Sequence, residues 1–185
     1  MQVDRPSSRK VVQGATSMAM MVDQDQALGA YVLEPGEGEL RHSARTRTRF
    51  LATGGTTGGA FALIDETARC GETVPLHRHP ADIESLYVIE GVLSVFLERS
   101  PCRMATAGAF AHFAHGAVHG FRVESDTAHY LLFTTPRHGE FYRAISRAPD
   151  DSKEPDAPID DETIMTACRD YDVEFIGSFP ACPSF

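Results

Sequence analysis

The sequence predicts an all-β fold, a sandwich or barrel of antiparallel strands, from three features. Short apolar runs recur at near-regular intervals between about residues 30 and 147. They are rich in β-branched and aromatic residues, and glycine-bearing turns separate them. With 185 residues, 42% of them hydrophobic, the chain can bury one substantial core and has little left for a second.

Residues 1–29 precede the first run and read as an irregular N-terminal extension. Within it, VVQGATSMAMMV is interrupted by Gln13, Gly14, Thr16 and Ser17, so it lacks the apolar continuity of an export or membrane segment. Met18, Met20 and Met21 are alternative candidates for the natural start. The run AYVLE follows from Ala30 as the first expected strand, and RTRTRF then sets Arg45, Arg47 and Arg49 on one face of an extended segment. That face reads as a solvated or subunit-contact surface. GGTTGG at 54–59 lacks the Gly-Lys-Ser/Thr of a phosphate loop and reads as a strand connection.

FALID, ESLYVI, VLSVFL, GAFAHF, HGFRVE and AHYLLFTT are the next strands. Glu90-Gly91 is a hairpin signal between ESLYVI and VLSVFL, and ATAG marks a turn before AFAHF. The barrel domain is expected over 30–147. Residues 148–185 comprise an acidic, proline-rich loop (APDDSKEPDAPIDDE), a short helix and a tail. Acidic residues at the start of DDETIMTACRD and Arg169 near its end suit that helix. The tail YDVEFIGSFPACPSF is too aromatic for water and is expected to pack on the barrel or on a neighbouring subunit.

A formal net charge of −9, from 17 Lys+Arg against 26 Asp+Glu with no long basic block, argues against nucleic acid or an anionic membrane as partner. Cys70, Cys102, Cys168 and Cys182 show no CxxC spacing. They read as four free thiols of a cytoplasmic protein.

The chemistry is concentrated in GETVPLHRHPADIESLYVIEG, residues 71–91. On an extended strand His77 and His79 point to one side, because side chains alternate with period two. Glu84 lies an odd number of residues from His79, so an unbroken strand would send it to the other face; Pro80-Ala81-Asp82 supplies a turn that resets the parity. With Glu84 inward, Leu86 and Val88 are inward too, and a lone carboxylate in that apolar setting is costly unless paired or bound to a metal. Further on, His119 opens a strand whose Phe121 and Val123 share its face. Three histidines and a glutamate form a nitrogen and oxygen set suited to one divalent Fe, Mn, Co, Ni, Cu or Zn. The absence of thiolates argues against a purely structural zinc site.

These spacings resemble a known family. Gly71, five residues, His77-Arg78-His79, four residues, Glu84, six residues and Gly91 resemble the first cupin motif at every fixed position. Gly108, five residues, Ala114-His115-Gly116, two residues, His119 and then Val123 are similar to the second. Ala114 stands where the motif usually has proline and Val123 where it has asparagine, and neither position is a metal ligand. More narrowly, TGGAFALIDETARCGETVPLHRHPADIESLYVIEG, FRVESDTAHYLLFTTPRHGEFYRAIS and YDVEF look like the single-cupin proteins related to quercetin 2,3-dioxygenase.

The resemblance implies a cupin jelly-roll with a short C-terminal helix and irregular ends. It implies metal ligation by His77, His79, Glu84 and His119, with Glu84 doubling as general base. In that family the metal binds a flavonol through its 3-hydroxyl, and O2 opens the heterocycle with release of CO. Phe61, Leu63, Leu86, Val88, Phe121 and Val123 are candidate substrate walls, with His112 beside them. An inward Val123 favours an aromatic guest. His115, on a turn, is expected to be exposed, His129 and His138 have no matching partner in a motif, and His42, before the arginine run, is assigned no role. Two other functions use the same residues. One is a non-redox cyclase, isomerase or decarboxylase of an aromatic or polyketide-like intermediate; the other is a small-molecule-binding cupin without turnover. Exposed strand edges and the apolar tail make a homodimer the expected assembly.

Overall fold

Two antiparallel sheets face each other, and the chain passes between them repeatedly. The computed structural model describes residues 29–150 apart from Arg99, and residues 157–180. Most of the N-terminal extension, part of the acidic loop and Cys182 lie outside the described residues. The strands are β1 (Glu39–Ser43), β2 (Thr46–Ala52), β3 (Ala62–Arg69), β4 (Thr73–Arg78), β5 (Glu84–Glu90) and β6 (Val92–Leu97). They continue with β7 (Ser100–Thr106), β8 (Phe110–Phe113), β9 (His119–Val123), β10 (Thr127–Thr134) and, after two helices, β11 (Glu174–Gly177). The helices are α1 (Pro136–Ala144) and α2 (Asp161–Asp170).

One sheet has the order β1-β2-β3-β10-β5-β8 and the other β11-β4-β9-β6-β7, a jelly-roll sandwich rather than a closed barrel. Period-two burial builds the interior. In β2 Thr46, Thr48, Phe50 and Ala52 turn inward, and in β10 Ala128, Tyr130, Leu132 and Thr134 do so. Phe113, Phe121, Leu86, Val88, Leu93 and Ile64 fill the space between the sheets.

FALID, ESLYVI, VLSVFL, AFAHF, HGFRV and AHYLLFTT all fall on strands. AYVLE does not: residues 30–34 run irregularly, and the Tyr31 hydroxyl donates to the carbonyl of Leu51 at 2.8 Å. Glu90-Gly91 is a corner and not a hairpin, since β5 and β6 belong to different sheets. Gly91 adopts φ of 86°, and a Cβ there would lie 2.4 Å from the carbonyl oxygen of Thr127. Only glycine fits a turn that tight against the neighbouring chain.

Helix α2 forms where expected, with Asp160 as its N-cap accepting from the Thr163 amide at 2.8 Å. The tail contributes β11, which pairs with β4 and adds an ion pair between Arg78 and Glu174 at 2.6 Å. Helix α1 is an element the strand pattern did not announce. Thr135 caps it and Pro136 occupies its first turn, a start that removes no needed amide donor. Gly139 lets it pack tightly on β3, because a Cβ there would sit 2.6 Å from Cβ of Ala62.

Cys102 is disulfide-bonded, whereas Cys70 and Cys168 are free, which corrects the expectation of four free thiols. Spacing along the chain does not report which Cα atoms approach within bonding range. The cysteine-based ground for a reducing compartment goes with it. No helix among the described residues is long and apolar enough to cross a membrane.

Candidate metal centre

His77 and His119 are cross-strand partners, β4 against β9, so their rings meet with centroids 4.3 Å apart. His79 lies just past the end of β4, and the turn that follows is closed by the Asp82 amide donating to the His79 carbonyl at 3.4 Å. That turn carries the chain from one sheet to the other, so Glu84 enters β5 facing the three histidines from the opposite wall. The sheet change, and not a bend within one strand, resets the parity of His79 and Glu84.

One ligand atom from each of His77, His79, Glu84 and His119 lies within 4.8 Å of the others, and all four residues are buried. Each imidazole is fixed by a backbone carbonyl on its Nδ1: Pro75 for His77 at 2.9 Å, Asp82 for His79 at 2.8 Å and Ala117 for His119 at 2.8 Å. A carbonyl only accepts, so Nδ1 carries the hydrogen and Nε2 presents its lone pair. Nε2 of His79, Nε2 of His119 and Oε1 of Glu84 have no hydrogen-bond partner although they are buried. Orphaned buried acceptors of this kind are costly, and a cation at their meeting point would satisfy them together. Neutral imidazoles held by outer carbonyls and a single carboxylate are the donor set that a divalent transition metal takes.

Electrostatics agree with neutral rings around one anion. Burial lowers His77 and His79 and carries His119 down to about 4, against the opposing pull of Glu84. Burial alone would raise Glu84, but the hydrogen bond from His138 and the nearby imidazoles outweigh it and hold the carboxyl well below the usual carboxylate range.

Two further residues touch Glu84, and neither belongs to a motif. His138 of α1 is fully buried, with Nε2 3.0 Å from Oε2 of Glu84, and the Tyr142 hydroxyl donates to the same oxygen at 3.3 Å. The Thr135-Pro136 pair, an N-cap followed by proline, is the sequence signal that places His138 on a helix.

The expected substrate walls divide. Leu86, Val88, Phe121 and Val123 point inward and are part of the packed core, and Phe113 stacks on His119 at 4.0 Å. Phe61 and Leu63 do not face the cluster. In β3 the inward residues are Ala62, Ile64, Glu66 and Ala68. Phe61 stacks on Phe133 at 5.0 Å on the outer face. There Phe61 and Leu63 line a cavity of about 500 Å³ with Tyr31 and Leu33. His112 also points outward, exposed, with Nδ1 2.9 Å from the Ser85 hydroxyl. His115 is exposed, and His129 pairs with Asp65 at 2.6 Å, away from the site.

Comparison with known proteins gives a consistent picture. Residues 66–135 match the family model described as the cupin domain. Quercetin 2,3-dioxygenase of Bacillus subtilis (strain 168) is 26% identical over 157 residues, 82% of this chain but 46% of the relative. The chain thus spans about half the length of that curated relative. Among solved structures, the polyketide cyclase RemF from Streptomyces resistomycificus aligns with a TM-score of 0.52 at 18% identity, covering 69% of this chain and 91% of that one. KdgF from Halomonas sp. aligns with a TM-score of 0.51 at 16% identity, covering 58% and 94% respectively. At such identities the likeness speaks for the fold alone.

Proposed function

The chain carries a cupin domain, and from that premise we propose that it is a metal-dependent dioxygenase that cleaves a flavonol or a related enolisable phenolic with O2. One observation carries the metal part of this reading: His77, His79, Glu84 and His119 each bring a ligand atom within 4.8 Å of the others, and His79 Nε2, His119 Nε2 and Glu84 Oε1 are buried without partners. His77, His79, Glu84 and His119 would hold one divalent cation, which would supply a positive charge beside the substrate oxygen as it loses its proton. The choice of substrate draws on the likeness to the Bacillus subtilis dioxygenase and on the Phe113 ring that stacks on His119.

The protein's own part is orientation and proton transfer. Glu84 is ionised at neutral pH, so it is available as an acceptor, and its partnerless Oε1 is the atom placed to take a hydroxyl proton. The carbonyls of Pro75, Asp82 and Ala117 keep the three imidazoles from turning, so a bound reactant would meet a fixed geometry. Burial of all four residues excludes bulk water from the reacting oxygen.

The test is aerobic turnover of quercetin by protein loaded in turn with Fe, Mn, Co and Ni, with O2 uptake and CO release followed together. Coupled change in both gases is the expected result. If neither gas changes while an aromatic or polyketide-like compound is converted without oxygen, the same residues serve non-redox chemistry and the dioxygenase reading is wrong.

A further inference from the structure

Helix α1 contributes nothing to either metal motif, yet it places two donors on one atom of the site. His138 and Tyr142 are four residues apart and lie on one face of the helix, with their rings 5.4 Å apart and nearly perpendicular. Both reach Oε2 of Glu84, at 3.0 Å and 3.3 Å, while Oε1 has no partner. A carboxylate accepts only, so Nε2 of His138 carries the hydrogen of that contact.

The helix is itself fastened to the ligand shell. The Thr135 hydroxyl and Arg137 donate to the carboxylate of Asp82, whose backbone carbonyl accepts from Nδ1 of His79. Phe141 stacks on His138 at 5.2 Å, and the His79 ring is tilted against His138 with centroids 4.3 Å apart. The imidazole of His138 is therefore packed against two rings in addition to its hydrogen bond to Glu84.

A glutamate side chain rotates easily about its last bond, and a carboxylate can offer a metal one oxygen or both. We propose that His138 and Tyr142 are positioning residues that make Glu84 a one-oxygen ligand. The two donors occupy Oε2, which also lies 3.8 Å from Nε2 of His79, and leave Oε1 as the oxygen without a partner. Oε1 has two lone pairs, so ligation and acceptance of a substrate proton both fall on that atom. The inference rests on the metal reading above and deepens it.

Cobalt(II) is the probe, titrated into the full-length chain and followed by its visible absorption and by calorimetry, for wild type, His138→Phe, His138→Gln and Tyr142→Phe. The wild type is expected to take up one cobalt per chain. His138→Phe keeps the aromatic stacking but loses the donor. It is expected to retain the stoichiometry, bind cobalt about 10- to 100-fold more weakly and show altered band intensity and position as Glu84 changes its mode. His138→Gln, which restores an N–H, is expected to return the wild-type spectrum, and Tyr142→Phe to give a smaller change of the same kind. Wild-type affinity and spectrum in His138→Phe would overturn the positioning role while leaving the metal site intact. Should His138→Phe fail to fold, an unchanged spectrum in Tyr142→Phe overturns it instead. A wild type that takes up no cobalt removes the metal reading and this inference together.

Discussion

Divalent metal should raise the thermal stability of this protein by an amount the orphaned acceptors allow one to estimate. Three buried acceptors of the ligand set, His79 Nε2, His119 Nε2 and Glu84 Oε1, lack partners, while a fourth such atom, Nδ1 of His138, lies outside that set. At about 1–3 kcal/mol each, they hold at least roughly 3 kcal/mol that a cation can recover. Free metal at a hundredfold over its Kd stabilises by about 2.7 kcal/mol, which for a chain of this size corresponds to a Tm rise of roughly 5–10 °C. Protons compete little for the site at neutral pH, since burial carries His119 down to about 4 and lowers His77 and His79 as well. The rise should thus persist between pH 7 and pH 8. Without metal, these histidines bind protons more readily unfolded than folded, so stability is full above the unfolded value near 6.5 and falls as pH drops toward the folded values. Differential scanning fluorimetry with Co, Ni, Mn or Zn against a chelator measures both effects. No metal-dependent rise, or the same rise in His119→Ala, would refute the argument, the second by putting the metal elsewhere.

Glu84→Ala should lose activity more completely than metal, because three imidazoles remain while the proton acceptor is gone. Turnover is expected to fall about 100-fold or more, with metal content by elemental analysis falling less. Gly139→Ala should lower stability by about 1–3 kcal/mol in urea unfolding by driving a methyl into Ala62, and Ala62→Gly in the same chain should recover most of it. Burial raises Glu66 to about 7 despite its bond from Thr48, so the folded protein binds this proton more tightly, and stability is lost as pH rises from the unfolded value through 7. Relative to wild type, Glu66→Gln should therefore gain stability between pH 5 and pH 8.5, by up to roughly 3 kcal/mol in urea unfolding.

The clustering of His77, His79, Glu84 and His119 was legible because its spacing is tied to strand geometry: His77 and His79 share a strand side, and His119 opens the neighbouring strand as the cross-strand partner of His77. Other features failed where two patterns compete. FALIDETA carries apolar side chains on both faces, Phe61 and Leu63 on one, Ala62 and Ile64 on the other, and a carboxylate on each. Hydrophobicity alone does not choose the inward face. On the outer face Phe61 and Leu63 line a cavity with Tyr31 and Leu33 of an irregular segment that was itself expected to be a strand. Glu90-Gly91 has the composition of a hairpin, but whether the next strand pairs or crosses to the facing sheet depends on long-range partners. His138 was passed over because α1 is short, has no acidic residue in its first turn and contains Gly139, all of which weaken a helix signal.

The charge of the site narrows what the proposed activity can act on. Neutral imidazoles at His77, His79 and His119 with an ionised Glu84 carry one negative charge in a buried space. With a dication the sum becomes one positive charge, which a substrate that binds already ionised brings to neutrality, whereas a proton passed from a neutral phenol to Glu84 stays in the site and leaves the sum unchanged. A phosphate monoester, with close to two charges at neutral pH, would overshoot, and a neutral sugar hydroxyl would leave the charge uncompensated. Phenols made acidic by an adjacent carbonyl fit best, and they are common to oxidative ring opening and to non-redox cyclisation. Ligand chemistry alone therefore does not separate those two reactions. The separation lies in whether O2 can reach the bound substrate, which is why gas uptake, and not metal content, is the decisive observable.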